Sequence, residues 1–190
     1  MDKALDPQIV NPIITGFIDE LITAKEGGIP SSKPFEAVIK PIEVYQNCML
    51  IKAADKFDVP VYIAAVNFYL TQAEMNAHRP RGAMILYMDI EIADKLFKVA
   101  GLEVPYDEDD ESMLGLCGSL CRLIAGALKD RLAAAGYPPL VVSAPVLSKN
   151  SIPDGVAFSK GQDKKQELSF YFLKHKAMVV DWTMAPIPKK

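Results

Sequence analysis

Residues 110–136 read DESMLGLCGSLCRLIAGALKDRLAAAG, the longest helical pattern in the chain and the stretch that decides its fold. Acidic residues at the start of a helix favour the macrodipole, and a glycine commonly follows the last helical turn. At 100° per residue the apolar side chains gather on one side, which we expect to face the core: Met113, Leu116, Leu120, Leu123, Ile124 and Ala127. The segment therefore predicts a long amphipathic helix at 110–135 that packs on a sheet.

Small and basic residues gather on the opposite arc of this helix. They are Gly115, Gly118, Ser119, Arg122, Gly126 and Lys129. Glycine inside a helix costs about 1 kcal/mol relative to alanine, so three glycines on one face suggest that something approaches closely there. Two interpretations remain open: a docking surface for a partner, or tight packing against a neighbouring helix of the same protein.

Helix and strand signals elsewhere complete an α/β (α+β type) pattern. We expect a helix at 11–26, with Asn11 as cap and Pro12 in its first turn, and another at 89–100 that Asp89 caps. Strand-like segments lie within 35–70 and at 82–88, 140–142, 156–158 and 168–182. The sequence predicts a mostly antiparallel sheet with helices on one side. Its 168–182 hairpin would close the sheet as an edge that pairs with another sheet.

Composition limits the functional classes. The 190 residues suit one domain, 1–190, and 24 acids against 21 bases give a net charge of -3 with no basic stripe, so we expect no nucleic-acid partner. No run approaches the roughly 20 apolar residues of a membrane span, and no signal peptide pattern precedes the first helix. Three cysteines, with Cys48 apart from the other two, suit a reducing compartment. We therefore expect a soluble cytoplasmic protein with no membrane partner.

Several possible sites have simpler interpretations. Cys117 and Cys121 are four residues apart, but no matching His or carboxylate lies in the segment, so packing is favoured over a metal site. His78 and His175 lack a neighbouring nucleophile with an orienting acid, which favours surface histidines. The acidic run 107–111 lacks the ligand spacing of a calcium loop, which favours a solvated helix cap over a calcium or partner site.

A small ionic patch is possible beside the central strand. It would consist of Glu74, His78, Arg79 and Arg81. A solvated hairpin loop explains these residues equally well.

Three segments carry a family resemblance that covers most of the chain. Asn11-Pro12-Ile13-Ile14, residues 84–100 and the run LIAGALK at 123–129 resemble CheX in order and spacing. The chain is thus similar to the CheX-like chemotaxis phosphatase family, which includes CheC and FliY. That family carries Asp or Ser, three residues, Glu, two residues, Asn, then twenty-two residues and Pro. The pattern falls here on Gly115, Ser119, Arg122 and Pro145, so only the proline is kept.

The resemblance implies a partner and a chemistry. In the family, the Asn amide is understood to orient water against the aspartyl phosphate of CheY, while the Glu pairs with a receiver lysine. Arg122 has donors and no acceptor, and Ser119 is too short to replace a carboxylate. We therefore expect a CheY-like receiver to be bound without catalysis by residues 118, 119, 122, 126 and 129. The alternative is an active phosphatase that uses replacement residues.

The resemblance also implies a homodimer. No cofactor of its own is expected, because any Mg²⁺ would belong to the partner receiver domain.

Overall fold

The fold is a seven-stranded sheet with helices on one face and a small sheet on the other. The computed structural model describes residues 5–23, 36–45, 48–49, 56–107, 109–150, 156–159, 161–172 and 175–187. Every strand pair in the described part is antiparallel. The predicted fold class, with its mostly antiparallel sheet, is therefore confirmed.

The helices are α1 (Pro7–Thr23), α2 (Gln72–Asn76), α3 (Ile90–Val99) and α4 (Asp110–Ala134). The large sheet comprises β1 (Glu36–Pro41), β4 (Val61–Tyr69), β5 (Gly82–Asp89), β6 (Val141–Val142), β7 (Val146–Lys149), β9 (Lys164–Phe172) and β10 (His175–Met184). The small sheet comprises β2 (Val44–Tyr45), β3 (Cys48–Met49) and β8 (Val156–Ala157). The large sheet has the order β1-β9-β10-β5-β4-β6, and β7 also pairs with β4.

The first helix begins earlier than the sequence predicts. The carboxylate of Asp6 accepts the Gln8 N–H at 2.9 Å, so the Asp6-Pro7 pair starts α1 rather than Asn11-Pro12. Asn11 lies within the helix, and its side-chain oxygen accepts the indole N–H of Trp182 at 2.9 Å. Both pairs carry the same start signal, and the upstream pair is the one the fold uses. Residues 24–26 lie outside the described residues.

The second and third predicted helices are confirmed. Asp89 caps α3 through the Glu91 N–H, and Gly101, at φ 81°, follows its end in the left-handed region that favours glycine. The sequence did not predict the short helix α2, because its residues lie in a stretch interpreted as a hairpin loop. Thr71 caps this helix by accepting the Glu74 N–H. Strand β7 was also missed, because its residues follow Pro145 in another presumed loop.

The 168–182 hairpin lies inside the sheet and does not close it. Strand β9 pairs with β1 and β10, and β10 pairs with β9 and β5, so neither strand has a free edge. The edge on this side of the sheet is β1, where Val38 is 38% and Ile39 63% exposed, and β6 and β7 form the opposite edge. The expectation that the hairpin supplies the edge was wrong, because β1 comes from a distant part of the chain and covers β9. Residues 173–174, which connect the two strands in the sequence, lie outside the described residues.

Each face of the large sheet has its own core. On one face α1, α3 and α4 pack against alternate strand residues such as Leu86, Val180 and Trp182. On the other face Ile63, Ile85 and Val179 are buried with Val156 of the small sheet. The two sets alternate along each strand, as the twofold side-chain period of a strand requires.

A buried ionic cluster lies at the edge of the second core. Lys56 Nζ is 3.1 Å from Asp181 and also bonds Glu167, while Lys165 bonds Asp181 and Lys40 lies 2.9 Å from Glu167. Burial would raise the pKa of Glu167, but hydrogen bonds from Lys56 and Lys40 outweigh it and hold the pKa below its usual value. The partnered charges make it possible for Asp181 to be fully buried.

Candidate functional site

The start of α4 is fixed to the sheet by polar contacts. Asp109 caps the helix by accepting the Ser112 N–H at 2.9 Å, so this part of the acidic run is a cap as predicted. Asp110 accepts the hydroxyl of Tyr62 at 3.0 Å and the ammonium of Lys149 at 2.5 Å. Burial and then the Asp110 contact raise the pKa of Tyr62 to about 12. These bonds set the position of α4 over β4 and β7.

The inward side of α4 differs in part from the predicted one. Its buried residues are Met113, Cys117, Gly118, Leu120, Cys121, Ile124, Ala125, Leu128 and Leu132. Leu116 and Ala127 are half-buried, and Leu123 is 42% exposed, so the core side is rotated away from Leu123. Both helix cysteines are free and buried, which confirms packing for them. Among the described residues α4 is a helix long and apolar enough to cross a membrane, but its buried apolar residues pack on the sheet.

Gly118 is buried, whereas the other residues of the predicted docking arc are exposed or half-buried. A Cβ there would lie 2.8 Å from Leu147 Cδ2 and 3.3 Å from Pro145 Cγ. Close packing within the protein therefore explains this glycine, although its neighbour is the segment leading into β7 and not a helix. Added Cβ atoms at Gly115 and Gly126 meet nothing within 4 Å, so packing explains neither.

The outer part of the arc is open, whereas Gly126 and Lys129 are half-buried. Gly115, Ser119, Arg122 and Leu123 are exposed on successive turns, and Pro145 is half-buried beside them. The Ser119 hydroxyl donates to the Gly115 carbonyl at 3.0 Å. We call the surface of these four helix residues, bordered by Val146 and Leu147, the α4 face. It presents one cation and no carboxylate or amide at positions 115, 119 and 122.

A groove continues from the α4 face toward β6. It has a volume of about 390 Å³ and is lined by Arg122, Gly126, Lys129, Leu140, Val141, Val142 and Ser143. Lys129 is half-buried, and its ammonium lies 3.4 Å from the carboxylate of Asp130. Arg122 and Lys129 thus share one groove, whereas Ser119 and Gly115 lie outside its lining.

Sequence reasoning missed the apolar part of this surface. Leu123, Val146 and Leu147 are 42%, 53% and 40% exposed. The helical period assigned Leu123 to the core, and the two strand residues follow Pro145 in a presumed loop. Exposed aliphatic side chains beside a cation are typical of a protein-binding surface.

The other sequence candidates lie elsewhere. His78 and His175 are exposed, as predicted for surface histidines. The four residues of the predicted ionic patch lie together. Arg81 binds Glu74 at 2.6 Å, and both line a pocket with His78 and Arg79. Within the described part of the chain, no group of three His, Cys, Asp or Glu residues is placed to hold a metal ion.

Solved structures share this fold. A CheC-like superfamily protein from Shewanella sp. PV-4 superimposes with a TM-score of 0.57 at 15% identity, over 94% of this chain and 98% of that one. Chemotaxis protein CheX from Vibrio vulnificus gives 0.55 at 15%, over 93% and 98%. A chain of the CheX-CheY-BeF3-Mg²⁺ complex from Borrelia burgdorferi gives 0.51 at 16%, over 93% and 96%.

The chain therefore has the fold of the CheC- and CheX-like chemotaxis proteins. No family model and no curated protein sequence matches it. At these identities the structural likeness shows the fold alone, and a fold hosts more than one function.

Proposed function

We propose that the protein binds a CheY-like receiver domain through the α4 face and does not accelerate loss of its phosphate. The observation that carries the proposal is the open arrangement of Ser119 and Arg122 on α4, beside Pro145, in a fold shared with a CheX-CheY complex. The exposed Leu123, Val146 and Leu147 supply the apolar contact that a protein partner needs.

The chemistry of the α4 face supports binding over catalysis. A guanidinium donates hydrogen bonds and accepts none, so Arg122 holds phosphoryl oxygens without taking a proton from water. The Ser119 hydroxyl has its proton committed to the Gly115 carbonyl. Orienting water for attack needs an acceptor at a fixed position, and residues 115, 119 and 122 offer no carboxylate or amide.

Two measurements on the same receiver test the proposal. We expect a receiver from the same organism, held in its active form with beryllofluoride and Mg²⁺, to bind the chain, and Arg122→Gln to weaken that binding at least fivefold. Arg79→Gln, which removes an exposed arginine away from α4, is the matched control. The phosphorylated receiver should lose phosphate at the same rate with and without the protein. A tenfold faster loss would establish the alternative, an active phosphatase.

We further propose that two copies pair through β1. Antiparallel pairing of two β1 strands centred on Val38 sets Glu36 of each copy opposite Lys40 of the other, and cross-strand pairs of opposite charge are favourable. The edge also exposes Ile39, whose burial against a second copy would remove apolar surface from water.

We also propose that the chain forms one domain and functions in the cytoplasm, apart from nucleic acid and membranes. It carries no cofactor of its own, and the Mg²⁺ in the complex belongs to the receiver.

A further inference from the structure

A second pocket opens at the end of the sheet where β4 leads through α2 into β5. It has a volume of about 450 Å³ and is lined by Glu74, His78, Arg79, Pro80, Arg81, Phe158 and Ser159. Volumes of this size are typical of sites for small molecules. We call it the β4–β5 pocket. Phe158 packs against the second core, on the sheet face opposite the helices, so the pocket is separate from the α4 face.

Arg81 is held rigidly in this pocket. Its guanidinium donates from Nη2 to Glu74 Oε1 at 2.6 Å and from Nε to the same oxygen at 3.2 Å. Glu74 is itself fixed by the Leu70 N–H at 2.9 Å, and these bonds lower the pKa of its carboxyl. The backbone of Arg81 is bound on both sides, by Phe68 and by Ala185, at 2.7 Å each. Glu74 bonds Nε and Nη2 of the guanidinium, which has five N–H donors, so donors remain for a ligand.

Arg79 is a second cation in the pocket, and its guanidinium forms no salt bridge with a carboxylate among the described residues. It is exposed, and its only described bond is from its backbone N–H to the Glu74 carbonyl. Two arginines against one glutamate leave the lining with one net positive charge before His78 is counted. His78 directly precedes Arg79 in a tight turn. Its φ of 50° is an uncommon conformation for a residue other than glycine.

We infer that the β4–β5 pocket binds a small phosphate monoester. A planar guanidinium matches phosphate oxygens, and two arginines with a nearby imidazole and the Ser159 hydroxyl supply donors to several of them. The half-buried ring of Phe158 gives the pocket one apolar wall for the organic part of the ligand. This inference does not depend on receiver binding at the α4 face.

Asn67 of β4 bonds one residue of the groove beside the α4 face and another residue next to Phe158 in the chain. The backbone of Asn67 bonds Ser143, which lines the groove, at 3.0 Å in both directions. Its side-chain amide donates to the carbonyl of Ala157, the residue before Phe158. Asn67 thus lies between the groove and the strand that leads into the pocket wall at Phe158.

Calorimetric titration with adenosine 5′-monophosphate as the probe tests the inference, with adenosine as the ligand that lacks the phosphate. We expect the monophosphate to bind at least tenfold more tightly than adenosine, and Arg79→Gln to raise its Kd at least tenfold. Arg122→Gln removes a similarly exposed arginine from the other site and should leave the Kd unchanged. Backbone amide signals of Phe158 and Ser159 should shift on titration.

Three results would overturn it. They are absence of monophosphate binding at millimolar concentration, equal affinity for adenosine, and equal weakening by the two arginine variants, which would indicate attraction to surface charge alone. Receiver binding, measured on the same variants, distinguishes this failure from failure of the proposed function, because Arg79→Gln should not affect it.

Discussion

Gly118 lies so close to Pro145 that a Cβ on the glycine would stand 3.3 Å from the proline Cγ. The contact brings the segment before β7 down onto α4 and places Leu147 at the border of the α4 face. A helix residue with any side chain would lift that segment or turn Leu147 aside. The border of the α4 face therefore depends on the absence of a side chain at position 118.

The three helix glycines should respond differently to alanine. Gly115→Ala and Gly126→Ala fill open space, so each should raise the free energy of unfolding by about 1 kcal/mol through helix propensity. Gly118→Ala should gain much less or lose stability, because Pro145 and Leu147 must move. Urea denaturation of the three variants measures the difference. An equal gain at all three positions would contradict the packing described for Gly118.

Restoring the family pattern should create activity. The double variant Ser119→Glu with Arg122→Asn places a carboxylate and an amide on an exposed face beside Pro145. We expect it to accelerate phosphate loss from a bound receiver at least tenfold, about 1.4 kcal/mol of barrier. The measurement is phosphate release, with Ser119→Glu alone as control, because that variant leaves position 122 without an amide. A double variant that binds the receiver and stays inactive would show that those two side chains do not explain the absence of catalysis.

Self-association should depend on β1. Ile39→Lys puts a charge on an exposed edge position without disturbing the core, so we expect sedimentation to show a monomer where the wild type is a dimer at micromolar concentration. Leu147→Lys, at a comparably exposed site beside α4, should leave the dimer intact and weaken receiver binding. A wild-type chain that sediments only as a monomer rejects pairing through β1.

Removing the central lysine of the buried cluster should be costly. Lys56→Met leaves the carboxylates of Asp181 and Glu167 with fewer partners in a buried position, for an expected loss of about 3–5 kcal/mol. Lys98→Met breaks an exposed pair with Asp94 and should cost less than about 1 kcal/mol. Denaturant titration compares them. Equal, small losses would mean that the cluster is not needed for stability.

Alkaline stability should depend on Tyr62. Its pKa is about 12 in the folded protein against an ordinary value of 10.0, so the unfolded chain releases this proton first. The stabilisation from Tyr62 is therefore complete below pH 10 and is lost as the pH rises through 12. We expect the free energy of unfolding of the wild type to fall more steeply than that of Tyr62→Phe across this interval. Parallel pH profiles would contradict the assignment.

The sequence predicted local features whose causes lie within a few residues. Asp89 and Asp109 cap their helices as expected, because a cap needs only a short polar side chain before a helical run. Periodicity located α4 within one residue of its observed end, and the residue pattern at 123–129 led to a fold that solved structures share. For α1 the same capping signal predicted the wrong start. Asp6-Pro7 and Asn11-Pro12 both carry the signal, and the packed structure shows that the helix begins at the first pair.

Tertiary structure alone decided which surfaces are free. Gly118, Gly115 and Gly126 look alike in sequence, but only Gly118 lies beneath a segment that folds back from 27 residues away. Leu123 has the period of a core residue and is exposed because the sheet beneath α4 lies nearer to Cys117 and Cys121. Likewise β1 becomes the sheet edge through pairing with β9, more than 120 residues distant. Such relationships depend on contacts between remote parts of the chain, which hydrophobic period and capping signals do not encode.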